Sequence, residues 1–256
     1  MTALSTAAWS KTHSSKLLSS TTSSLSSSSS GIFRRTLMSS VVEVDIDCPV
    51  PERPVTFILG EDAGFYPKSW LPTFQEKVPK EHGMQFCSFT LDPQSTSFDD
   101  ALNELKNDAG SFVDTVFVAR GPFMSWMAQF YLEDLPFKGL IMVDPMQLDD
   151  QNGVNQFQLQ YDKLGLTSSQ QYQMFLDFDQ HWGHWTYRLE PGVVPMMILY
   201  TADRPMYKRC AENTALRHSL DESMADIPIL KMPSTKRKHD EESLEAIVDW
   251  INDRAL

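Results

Sequence analysis

The chain has 256 residues, 41% of them hydrophobic and 11% aromatic, and a formal net charge of −12. That length and composition suit one sizeable domain with a packed core plus a tail. The acidic balance excludes a phosphate backbone as an expected partner, and no apolar run nears the roughly 18 residues of a membrane span. Cys48, Cys87 and Cys210 are too scattered for a disulfide framework and lack C-x-x-C spacing, so neither a metal nor a cofactor is expected.

Residues 1–42 contain no Asp or Glu, carry Lys11, Lys16, Arg34 and Arg35, and include long Ser/Thr runs. This is the composition of an organelle transit peptide without a secretory apolar stretch. Arg35-Thr36-Leu37-Met38-Ser39-Ser40 fits a two-step mitochondrial processing pattern, with the second cut near Val44. The expectation is a leader over residues 1–44, mitochondrial or, in the alternative, plastidic, and a body over residues 45–256.

Elements follow in order. Val55–Leu59 reads as a strand, and Trp70, Phe74 and Val78 give one face of a helix. Met84–Leu91 is a second strand, and Phe98–Lys106 a helix with Ser97 as N-cap. Val116–Ala119 is a strand, Phe123–Leu132 a helix, and Gly139–Val143 a strand. Residues 146–190, rich in Gln and aromatics, read as a helical insertion. Val193–Tyr200 and Ile227–Met232 are further strands, and Glu242–Ile251 a closing helix. Strands alternating with helices, several as unbroken apolar runs, predict a doubly wound, mostly parallel sheet of six or more strands.

The segment Asp114–Asp144 reads strand, sharp turn, helix, strand. With its neighbours it resembles the heart of the α/β-hydrolase fold, where the turn carries G-x-S-x-G and Ser is the nucleophile. The resemblance covers about 200 residues and places residues 146–190 as a cap. Here the turn is Ala119-Arg120-Gly121-Pro122-Phe123, so the nucleophile position is Gly121, which has nothing to attack with. The oxyanion segment, His-Gly in the family, reads Leu59-Gly60-Glu61-Asp62, which puts negative charge where donors are needed. No His stands where the family keeps its base; His239 is the nearest, at the mouth of the closing helix. The resemblance implies that Asp203 is the triad acid, with an ion pair to Arg204 or a loop cap as its structural role otherwise.

Ser125 is a candidate displaced nucleophile, although four residues past the elbow it reads as a helix-surface serine bonded back to a carbonyl. The start of that helix (Pro122, Phe123), with Arg120, Gly60 and Glu61, is the candidate ligand-binding group, since free N–H groups there hold anions or carbonyls. Asp177-x-Asp179-x-His181-x-x-His184 matches no defensible metal spacing. The expected function is a non-catalytic binding or assembly role, with an unspecified protein or small-molecule partner. The alternative is a carboxyl-ester serine hydrolase with a displaced nucleophile.

Overall fold

The computed structural model describes residues 38–92, 94–148, 151–182, 189–201, 205–232 and 239–255. Seven strands form one sheet: β1 (Met38–Val42), β2 (Thr56–Glu61), β3 (Gln85–Phe89), β4 (Thr115–Arg120), β5 (Gly139–Val143), β6 (Met196–Thr201) and β7 (Ile229–Met232). Their spatial order is β1-β3-β2-β4-β5-β6-β7. Only β1 runs antiparallel, against β3; every other pairing is parallel. The helices are α1 (Leu71–Glu81), α2 (Phe98–Ala109), α3 (Pro122–Asp134), α4 (Gln151–Lys163), α5 (Gln170–Trp182), α6 (Pro205–His218) and α7 (His239–Arg254).

Strand side chains alternate between faces, and two cores follow. Phe57, Leu59, Val116, Val118, Ile141, Val143 and Leu199 pack under α1 and α7, with Trp70, Phe74, Leu244 and Ile247. Ile58, Phe117, Ala119, Leu140, Met142 and Ile198 face the other side, with α2, α3 and the insertion. Helix α3 is buried almost all round, as the central helix of a covered sheet should be. Ser97 caps α2 as expected, accepting from the N–H of Asp100 at 3.1 Å.

The insertion is the helix pair α4 and α5. Its Phe157, Phe175 and Phe178 join Phe98, Trp126 and Phe130 in one aromatic cluster, with ring centroids 4.1–5.4 Å apart in the Phe157–Phe175, Trp126–Phe175 and Trp126–Phe178 pairs. The doubly wound prediction holds, with three differences. Strand β1 lies inside the stretch assigned to the leader, so the sheet reaches back past the expected boundary at residue 45. Helix α6 was not expected, because its inward positions Tyr207, Ala211, Thr214, Ala215 and His218 are largely small or polar. The last two strands start later than read, at Met196 and Ile229. Among the described residues no helix is long and apolar enough to cross a membrane.

Candidate functional site

Strands β2, β4, β5 and β6 end on one side of the sheet, and the buried Asp62, Arg120 and Asp144 lie at those strand ends. Strand β4 ends at Arg120, and Gly121 turns the chain into α3 with φ 111° and ψ 163°. Only glycine adopts such a φ without strain. Pro122 opens the helix with the fixed φ that suits a first helical position.

Asp62 follows β2, and its backbone N–H still bonds to the carbonyl of Arg120 at 2.9 Å. Continuing the strand's alternation past Ile58 and Gly60, its side chain points toward α3. There Oδ2 accepts from Phe123 N–H (2.9 Å) and from the Tyr161 hydroxyl (2.9 Å), and Oδ1 accepts from Met124 N–H (3.0 Å). Pro122 has no N–H, so this carboxyl takes the first two N–H groups the helix offers. A Cβ on Gly121 would meet Asp62 Oδ2 and lie 2.5 Å from its Cγ and 2.7 Å from its Cβ. The carboxyl of Asp62 thus fills the volume that a side chain at the elbow would need. It is only 3% exposed, and burial pushes its pKa up to about 7, against the pull of the three donors.

Arg120 points to the opposite face. It pairs with Oε1 of Glu61, donates to the Lys68 carbonyl at 3.0 Å, and stacks with Tyr66 and Trp70, its guanidinium carbon 3.9 and 4.2 Å from their ring centroids. Glu61 also accepts from Trp70 N–H at 2.9 Å and from the Ser69 hydroxyl. Beside them Asp144, buried at the end of β5 with φ 52°, accepts from Thr201 N–H (2.7 Å), Thr201 Oγ1 (2.6 Å) and the Tyr66 hydroxyl (3.1 Å). Burial raises its pKa, and these donors oppose the rise.

A small cleft of about 70 Å³ opens next to this layer, lined by Tyr66, Lys68, Trp70, Arg120, Thr201 and Asp240. At its mouth burial alone would raise Asp240, but hydrogen bonds from Lys68 (2.8 Å) and Thr73 outweigh that and hold its pKa at about 2.

The candidates read from sequence that the structure describes are taken up by other groups of the protein. The N–H of Phe123, expected to meet a ligand, meets Asp62. Glu61 and Arg120 are tied to each other. Gly60 is glycine for packing, since a Cβ there would lie 2.9 Å from the Phe117 ring. Ser125 is not on the helix surface: it is fully buried, and its Oγ donates to the carbonyl of Ala119 at 3.2 Å. His218 sits at the other end of the sheet, beside Val194 and Met196 where β6 begins. Its Nε2 is 2.7 Å from Gln129 Oε1, and burial, followed by Arg217, lowers its pKa to about 4. Asp203 lies outside the described residues, as do the side chain of His239 and the stretch from Gly183 to Trp185. His181 is exposed and pairs locally with Asp177.

Asp62, Tyr161 and Asp144 were the groups missed. The signal for Asp62 was present in Glu61-Asp62, read only as charge hostile to an oxyanion.

This sheet order and crossover pattern, with an elbow after β4 and a cap before β6, defines the α/β-hydrolase fold. No family model matches the chain, and no curated protein matches it in sequence. Solved structures do match in fold. An α/β hydrolase from Sphaerobacter thermophilus superimposes with a TM-score of 0.52 at 8% identity, over 83% of this chain and 95% of that one. The RedJ thioesterase from the prodiginine biosynthetic pathway in Streptomyces coelicolor gives 0.53 at 9% identity, over 82% and 96%. The Vlm2 thioesterase domain gives 0.50 at 11% identity, over 84% and 97%. The chain has the fold of these proteins across nearly their whole length.

Proposed function

We propose that this chain is a non-catalytic member of its fold, acting by binding or assembly in an organelle. The observation that carries the reading is Asp62. Acyl transfer at an elbow needs a nucleophile on the turn and N–H donors free to receive the oxyanion. Here the turn residue is glycine, and a carboxyl of the protein itself holds the donors. Ser125 offers no substitute, because its hydroxyl is buried and bonded to a carbonyl.

The test is an assay of the purified chain on activated esters and acyl thioesters. No saturable turnover above buffer is expected, and Ser125→Ala should change nothing. Saturable turnover that disappears in Ser125→Ala would establish a displaced nucleophile instead.

The acid-free leader supports import into mitochondria. Because β1 belongs to the sheet, a cut near Val44 would strip an edge strand, so the mature chain should begin near residues 36–38. N-terminal sequencing of native protein checks this. Recovery of Met1 or Thr2 would end the targeting idea, and a start at Val44 would show that β1 is dispensable.

A further inference from the structure

We infer that Glu81, His82 and Glu245 form a divalent-cation site of the zinc class at the seam between α1 and α7. Glu81 ends α1 and His82 caps it, with φ −116° and ψ 0°; Glu245 comes from the middle of α7. The first two residues are adjacent in sequence, and α7 brings the third across the seam.

The telling group is His82. It is 8% exposed, and its Nε2 is shielded from solvent without a hydrogen-bond partner. A buried polar atom left unpaired is costly, and such atoms are rare enough to need a reason. Nε2 faces Oε1 of Glu245 at 4.0 Å, too far for a hydrogen bond. One ligand atom from each of the three residues lies within 4.8 Å of the other two.

That span suits a bridging ion. Zinc bonds to imidazole nitrogen and carboxylate oxygen are about 2.0–2.2 Å long, so ligand atoms in a tetrahedral shell stand roughly 3.4 Å apart. Closing the remaining gap takes movements of about an ångström, and both glutamates are exposed and able to turn. One imidazole with two carboxylates is a borderline donor set, and it leaves a fourth position for water.

Lys77 is the competitor, 3.6 Å from Glu81 and 3.5 Å from Glu241. It keeps Glu241 when Glu81 turns to the ion. The site shares no residue with the elbow, and its occupant would pin the closing helix to the end of α1.

The experiment is a calorimetric titration of zinc chloride into the full chain after removal of metals by chelator. Glu245→Gln and Glu81→Gln, singly and together, are compared with the parent; both positions are exposed, so the variants should fold. One equivalent should bind, at least ten-fold more weakly in each single variant. A zinc-induced rise in the thermal midpoint should be present in the parent and absent in the double variant. Absence of saturable binding would overturn the site. So would binding and a thermal shift unchanged in the double variant, which would assign the ion to other groups such as His181.

Discussion

Gly121→Ala is expected to destabilise the chain by about 2–6 kcal/mol, two separate costs acting together. The first is backbone: φ of 111° is a region that residues with a Cβ avoid, worth roughly 1–3 kcal/mol. The second is steric: the new methyl meets the carboxyl of Asp62, which three hydrogen bonds hold in place, and overpacking of this kind costs about 1–3 kcal/mol. The costs separate in a double-mutant cycle. In an Asp62→Gly background the clash is gone and only the backbone strain remains, so Gly121→Ala should cost less there by about 1–3 kcal/mol. Urea midpoints of the four proteins decide it. Additive effects would mean that Asp62 does not occupy the elbow.

The second expected result concerns pH. Burial holds the folded-state pKa of Asp62 at about 7, above its ordinary 3.8. A carboxyl raised on folding binds its proton in the native state while the unfolded chain has released it. Its contribution to stability is therefore present at low pH and lost as pH rises from about 4 to 7, at up to about 1.4 kcal/mol per unit. His218, held near 4 by burial, works in the opposite sense: its contribution grows as pH rises from about 4 to 6.5. The two offset each other in the parent, so the parent's own profile is a poor readout. Asp62→Asn isolates the carboxyl. Its amide offers one acceptor where two oxygens served three donors, so the variant should be the less stable protein at pH 5. That deficit should shrink steadily up to about pH 7 and then stay constant. If the donors at the helix start dominated burial, the gap would instead stay flat from pH 5 to 8 and close only as pH falls below about 4.

Much of the fold was legible because the doubly covered strands announce themselves. Phe57-Ile58-Leu59 and Leu140-Ile141-Met142-Val143 are apolar on both faces, and the lengths between them fit crossover helices. Helix α6 escaped because Ala211, Thr214 and Ala215 carry too little hydrophobicity to mark a face. Strand β1 escaped because Met38-Ser39-Ser40-Val41-Val42 continues the serine-rich composition before it; its place is set by pairing with β3, a long-range contact. At the site, the glycine at the elbow was readable from the sequence. What surrounds it was not, because Asp62 and Tyr161 are brought to Gly121 by the sheet register and by the docking of α4.

The carboxyl of Asp62 also bears on how easily this scaffold could acquire a side chain at the elbow. A side chain placed at position 121 collides with Asp62, and shortening Asp62 first leaves the N–H groups of Phe123 and Met124 and the hydroxyl of Tyr161 in an empty buried space. Either first step lowers stability before any chemistry is possible, and neither supplies a base. The elbow therefore acts as a ratchet on the mutational path: single substitutions lead downhill in stability from both directions, and only concerted changes at positions 62 and 121 avoid the valley.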